Sequence, residues 1–160
     1  MNLFFIFCTQ YLFALPLVIL GIYFFMQPRD AWRRMATFAV PTALLVYVVG
    51  VAGGLLYYDP RPFVVGHFKP LVPHAPDNGF PSDHALLVSA IAMIGTLWNK
   101  KLGVVLWILA VFVSVARVYV GVHHTIDVVG SMIISIIVIS AVSGTFWRRK
   151  RPPASYGGAK

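Results

Sequence analysis
Apolar residues run almost unbroken through five stretches of the chain, 3–26, 35–58, 82–98, 102–118 and 126–147, with short polar interruptions between them. At about 1.5 Å of rise per residue, some 20 such residues in a helix cross the roughly 30 Å hydrocarbon core of a bilayer. The pattern predicts an all-α fold: a polytopic membrane helix bundle of about five transmembrane helices. Pro16 predicts a kink in the first span, and Gly50 and Gly54 give the second a small face for close helix contact. Ser82 is placed to cap the third helix, with Asp83 in its first turn, and Thr125 to cap the fifth. Basic residues are expected at the joints: Arg29, Arg33 and Arg34 before the second span, and Asn99-Lys100-Lys101 closing the third.

One interval breaks the pattern. Residues 59–81 hold six prolines (Pro60, Pro62, Pro70, Pro73, Pro76 and Pro81) and mix them with Arg61, His67, Lys69, His74 and Asp77. Prolines at this density predict an irregular loop without regular helix. Phe63, Phe68 and Phe80 suggest a lid lying on the membrane surface. The resulting organisation is a single membrane domain over 1–147, with 59–81 as an outer loop, and a basic cytoplasmic tail over 148–160, of which 152–160 is expected to be disordered.

Composition supports the same class. The chain of 160 residues is 59% hydrophobic and 11% charged, where a soluble domain carries about a quarter charged residues. The net charge of +8 invites a nucleic-acid reading. The Lys and Arg residues, however, fall in short clusters between apolar runs, so they read as topology signals and no nucleic-acid partner is expected. Cys8 is the one cysteine, which excludes an intrachain disulfide and a cysteine-based metal site. The N-terminal residues lack a basic region and a small-residue cleavage site, so no cleaved signal peptide is expected. With five spans, Arg29/Arg33/Arg34, Lys100/Lys101 and Arg148–Arg151 all fall on the cytoplasmic side when the N-terminus is outside. The proline-rich loop, His84, Arg117 and His123 to Asp127 then share the outer side.

Charged groups at the ends of membrane spans are costly unless used. Arg61 and Arg117 offer forked donors for phosphate or carboxylate oxygens. Ser82 and the backbone N–H groups of Asp83 and His84 stand at a helix N-terminus, a ready anion site. His123 and Asp127 are four apart, so on a helix they share a face. A carboxylate on one ring nitrogen fixes the tautomer and leaves the other free to attack. His84 is then available to protonate a leaving oxygen. Taken together the set reads as a phosphoryl-transfer site. A lone interfacial histidine is more often packed or solvated, and His67 and His74 keep that reading. A metal site from His84, His123, His124 and Asp127 is the competing one. It suffers from the adjacent His123 and His124 and from two nearby arginines, so no metal or other cofactor is expected. A non-enzymatic membrane protein that binds phosphate lipids could use the same cradle without turnover.

At these residues the chain resembles the type 2 phosphatidic acid phosphatase superfamily. Arg61-Pro62, Pro81-Ser-Asp-His84, and Arg117 with five residues to His123 and three more to Asp127 match its three motifs in order and spacing. Asp59-Pro-Arg-Pro-Phe63, Leu71-Val-Pro-His-Ala75 and Phe80-Pro-Ser-Asp-His84 look like the bacitracin-resistance-type undecaprenyl diphosphatases. The resemblance implies that His123 is a nucleophile forming a phosphohistidine, that Asp127 orients it and that His84 is the general acid. Arg61, Ser82, Asp83 and Arg117 are then the phosphate-binding group, with no metal. It implies a multi-pass protein of the bacterial inner membrane, acting at its outer face on undecaprenyl diphosphate, a lipid carrier of cell-wall synthesis. Phosphatidate or phosphatidylglycerophosphate is the alternative substrate. The departures are Gly54, where the first motif has Lys and for which Lys69 is a possible substitute; Ala116, where Ser is usual; and His124, a position often aromatic. The family usually has six spans.

Overall fold
The computed structural model describes residues 2–148. These form α1 (Asn2–Phe7), a π-helical turn (Cys8–Leu12), α2 (Ala14–Phe25), α3 (Arg29–Leu56), α4 (Pro62–Val65), α5 (Asp83–Trp98), α6 (Lys100–Tyr119) and α7 (Thr125–Arg148). The described residues contain no strand, only an isolated bridge between Pro60 and Asn78. The expected helical membrane bundle is what the chain forms. The expected tail over 148–160, with its Arg148–Arg151 cluster, lies outside the described residues apart from the helical backbone of Arg148.

The first apolar stretch is not one straight helix. Asn2–Leu12 and Ala14–Phe25 meet at a bend of 42°. The break falls at Phe13, just past the carbonyl of Leu12, and that carbonyl is the one the Pro16 ring displaces four residues on. Met35 is not where the second helix begins: α3 starts six residues earlier, at Arg29, after the non-helical Pro28. Asn99 does not simply end the third helix. Its side chain accepts the N–H groups of Lys101 and Leu102 and caps α6, so Lys100 and Lys101 form the first turn of the next helix. The proline-rich loop does contain one helical turn, α4, with Pro62 in its first turn where a missing N–H costs nothing.

By length and composition α3, α6 and α7 can each cross a bilayer, and the bent pair α1–α2 makes a fourth. At 16 residues, α5 is about 24 Å long, short of a full crossing by itself. It is instead the central helix. Ala85, Leu86, Val88, Ser89, Ala90, Ile91 and Ala92 are buried among α3, α6 and α7. The outward faces of α3, α6 and α7 carry exposed Leu, Val, Ile and Phe side chains, as a lipid-facing surface does.

Lipid gives no hydrophobic drive for helices to associate, so close packing and interhelical hydrogen bonds hold them. Ser89 Oγ donates to Ser135 Oγ at 2.9 Å, and Ser135 Oγ lies 3.1 Å from the Leu86 carbonyl. Gly103 of α6 lies against Thr96 of α5 so closely that a Cβ there would stand 2.7 Å from the Thr96 Cα. At one end of the bundle, near the Arg29 and Lys100 helix starts, Phe38 packs edge-on to Trp98 and Phe146. The opposite end gathers the end of α3, the loop, the start of α5, the end of α6 and the start of α7.

Candidate active site
The loop reaches that end of the bundle because Asn78 holds it there. Its Oδ1 accepts the N–H groups of Asp59 (2.9 Å) and Phe80 (3.0 Å), and its Nδ2 donates to the carbonyls of Gly54 (2.8 Å) and Tyr57 (3.1 Å). All of the amide's bonding capacity is used, and it ties the loop to the C-terminal end of α3. Leu71 N–H bonds the Val120 carbonyl, and Val72 packs with Val120 and Val122 beside Phe5 and Ile6. The interval is therefore a packed wall of the site rather than a lid on the surface. Gly79 follows Asn78 because space forbids more: a Cβ there would lie 2.9 Å from Asp127 Oδ2 and 3.0 Å from the Asp59 carbonyl.

His123 is at the centre and is buried. Its Nδ1 stands 2.9 Å from the Gly79 carbonyl and 3.3 Å from Asp127 Oδ2. Both partners are acceptors, so Nδ1 carries the proton. Its Nε2 lies 3.3 Å from Arg61 Nη1 and 3.2 Å from Arg117 Nη2. Guanidinium nitrogens only donate, so Nε2 presents its lone pair. The neighbours alone thus assign a neutral imidazole whose free nitrogen faces two fixed cations. Burial first, and then the charges of Arg117 and Arg61, hold the His123 pKa below the usual histidine range against the pull of Asp127.

Both arginines are buried. Arg61 is fixed by Asp77 Oδ1 at 2.6 Å, the Val122 carbonyl at 2.9 Å and the Asn78 carbonyl at 3.3 Å. Burial alone would raise the Asp77 pKa; the hydrogen bond and charge of Arg61 outweigh it and hold that pKa low. Arg117 Nη2 also meets His74 Nε2 at 3.1 Å. Burial and the two arginine charges lower the His74 pKa. Asp127 Oδ2 accepts the His124 N–H at 2.8 Å as well as facing His123, and His124 Nδ1 meets Asp59 Oδ2 at 3.0 Å.

Ser82 is fully buried at the N-cap position, but its side chain makes no cap bond. The expected capping role is replaced by a free hydroxyl. Ser82 Oγ, Arg117 Nε and His74 Nδ1 are buried polar atoms without a protein partner. Such orphans are rare in folded proteins and call for an account. His84, in the first turn of α5, is edge-on to Phe13 with ring centroids 4.7 Å apart, and it feels the charges of Arg117, His123 and His74. The Asp83 side chain is exposed and lines a small cavity with Tyr47 and Leu87, so any contact of this residue with the site is through its backbone.

Of the residues singled out from the sequence, the fold brings together Arg61, Ser82, His84, Arg117, His123 and Asp127. It adds His74, Asp77, Asn78, Gly79 and Asp59. His74, for which the sequence suggests only a packed or solvated histidine, is bonded to Arg117. The cleft in front of His123 has a volume of about 430 Å³ and is lined also by Lys69, Phe68 and His124. An apolar groove of about 410 Å³ between α6 and α7 shares Val118, Tyr119 and Thr125 with it. The competing His84/His123/His124/Asp127 metal set does not form among the described residues; the ligand-type atoms that do cluster belong to Asp59, His124 and Asp127.

A helical membrane bundle with an oriented imidazole facing two buried arginines defines a class, membrane proteins built to handle phosphate esters. The chain belongs to the PAP2 superfamily, whose family model matches residues 34–151. It is 34% identical to undecaprenyl-diphosphatase BcrC of Bacillus subtilis over 83% of this chain and 68% of that protein. It is 31% identical to bacitracin transport permease protein BcrC of Bacillus licheniformis over 86% of this chain and 65% of that protein. The chain thus spans about two thirds of the length of these relatives. The fold is similar to that of Aquifex aeolicus LpxE, with a TM-score of 0.72 at 20% identity, covering 89% of this chain and 85% of that one.

Proposed function
We propose that this lipid phosphatase hydrolyses undecaprenyl diphosphate to undecaprenyl phosphate through a phosphohistidine on His123, and so returns a cell-wall lipid carrier to use. The carrying observation is the tautomer. Gly79 O and Asp127 hold the proton on Nδ1, leaving Nε2 as a lone pair between Arg61 and Arg117. A terminal phosphoryl group takes the place of the arginine–histidine contacts, with its oxygens on Arg61, Arg117, Ser82 Oγ and the N–H groups opening α5. The orphaned Ser82 Oγ and Arg117 Nε support that seat. Nε2 attacks phosphorus, the bond to the bridging oxygen breaks, and His84 gives that oxygen a proton. Water then attacks the phosphohistidine, His84 takes the water's proton, and phosphate leaves with Nε2 restored. Asp127 offsets the charge that the ring gains on phosphorylation.

The lipid tail lies in the apolar groove between α6 and α7, continuous with the cleft. The name of the Bacillus subtilis relative supports the prenyl diphosphate over a phospholipid, and the alternation of basic clusters supports a site on the outer face of a bacterial inner membrane. The experiment is phosphate release by the purified chain in detergent from undecaprenyl diphosphate, phosphatidate and phosphatidylglycerophosphate, beside His123→Ala and His84→Ala. The prenyl diphosphate is expected to turn over fastest, with no turnover in His123→Ala. Full activity in that variant rejects the phosphohistidine, and preference for either phospholipid rejects the substrate. Binding of the lipid without turnover at any pH rejects the enzyme reading.

A further inference from the structure
Two carboxyl groups meet behind the catalytic histidine. The Asp59 carboxyl is within hydrogen-bonding reach of Asp127, and one ligand-type atom from each of Asp59, His124 and Asp127 lies within 4.8 Å of the others. Asp127 is fully buried, and the Asp59 side chain is 15% exposed. Asp127 Oδ2 already faces the His124 N–H and His123 Nδ1. Asp127 Oδ1 is buried and receives no protein N–H. Two carboxyl groups this close, one fully buried and the other largely so, strongly disfavour both being charged unless a proton or a cation stands between them. We propose that Asp59 is a positioning residue, a neutral acid whose O–H donates to Asp127 and locks the carboxylate that orients His123.

The bonds then close without a conflict. His124 Nδ1–H donates to Asp59 Oδ2 at 3.0 Å, the other Asp59 oxygen carries the proton and donates to Asp127, and Asp127 holds His123 Nδ1–H. The groups facing Asp59 are Asp127 from α7 and His124 from the turn before it, with His123 beyond. Arg61, two residues on, is turned to Asp77, Val122, Asn78 and His123. Burial chiefly, and then Asp127, raise the Asp59 pKa, while His124 opposes them. A proton fits better than a metal dication because two buried guanidinium groups already stand beside His123. His124, partly exposed on the cleft, is where solvent reaches the chain of bonds.

This inference deepens the proposed reaction and rests on it, so its test carries a readout free of turnover. Asp59→Asn keeps one donor and one acceptor in place but cannot ionise; Asp59→Ala keeps neither. In infrared spectra of the full chain in detergent at neutral pH, the wild type is expected to show a protonated-carboxyl C=O band that Asp59→Asn lacks and His123→Ala keeps. On undecaprenyl diphosphate, Asp59→Ala is expected to lose about tenfold or more in kcat with KM little changed, the loss of a hydrogen bond to a buried charge. Asp59→Asn is expected to stay within about threefold and to hold its rate further into alkali than the wild type. A band that persists in Asp59→Asn, or wild-type kcat in Asp59→Ala, overturns the proposal. So does absence of the band in the wild type, with magnesium, calcium or zinc raising its melting temperature but not that of Asp59→Asn: a cation then holds the pair. Turnover in His123→Ala overturns the phosphohistidine reading alone and leaves the infrared comparison to judge Asp59.

Discussion

Replacing Asn78 tests whether a residue outside the motifs sets the site. Asn78→Ala removes four hydrogen bonds, two accepted from Asp59 and Phe80 N–H and two donated to Gly54 and Tyr57 carbonyls, at 2.8–3.1 Å. These bonds are partly buried or exposed and water replaces some of them, so each is counted at about 0.5 kcal/mol, the low end for a protein hydrogen bond, which gives ~2 kcal/mol in all. For a chain of this size that is a melting temperature lower by about 4–8 °C. Activity is expected to fall as well. The Asn78 carbonyl holds Arg61 Nη2, and the next residue's carbonyl holds His123 Nδ1. Asn78→Asp separates the two halves of the amide: it keeps the acceptor and turns two donors into a charge facing two carbonyls. It is expected to be at least as unstable as Asn78→Ala above pH 5. The assay is intrinsic tryptophan fluorescence on heating in detergent, followed by phosphate release at a temperature where all forms are folded. An Asn78→Ala protein that melts within 1 °C of the wild type and releases phosphate at the same rate refutes the claim that this amide builds the site.

Three further outcomes follow from the same geometry. His123 must be neutral to attack, and its pKa lies below the usual histidine range; the acid limb of kcat/KM is therefore expected below about pH 6.5, activity being lost only as pH falls through the depressed value, and a limb at or above the ordinary value contradicts the burial and arginine account. Gly79→Ala puts a Cβ 2.9 Å from Asp127 Oδ2, so kcat is expected to fall about tenfold or more by displacing the carboxylate from His123; unchanged turnover shows that the carboxylate does not need that position. Gly103→Ala forces apart α5 and α6, at 2.7 Å from the Thr96 Cα, at a cost of about 1–3 kcal/mol, read as a lower melting temperature, and an unchanged one means the two helices separate freely.

The helices were legible because membrane spans write long apolar runs, and the chemistry because ionisable residues are scarce in such a chain. Arg61, His84, Arg117, His123 and Asp127 stand out against an apolar background, and four-residue spacing put His123 and Asp127 on one face. The boundaries were less legible. Asn99 looks like a helix end and is a cap; Arg29 looks like loop and is helix, because three arginines in a row of turns read as polar without breaking anything. The loop was least legible. Proline density told that 59–81 is irregular, but irregular backbone has no period from which to read direction, so nothing in the sequence set His74, Asp77 and Asn78 beside the arginines and the loop backbone they hold. The signal that was available is the clustering of Asn-Gly with histidine and aspartate just ahead of Pro81-Ser82.

Gly54 shows how the two levels join. The family's first motif has a lysine there, and its loss reads from the sequence as one phosphate contact missing. In the structure a Cβ at Gly54 would stand 2.9 Å from the Phe80 carbonyl and 3.3 Å from Pro81 Cδ. The loop has moved into the space a side chain would need, and Gly54 offers its carbonyl to Asn78 instead. Close approach of that loop is what delivers Gly79 O to His123 and Asn78 O to Arg61. Restoring the lysine alone would therefore push the loop off the site rather than add a contact. Lys69, from the loop rather than from the helix, lies on the wall of the same cleft as His123.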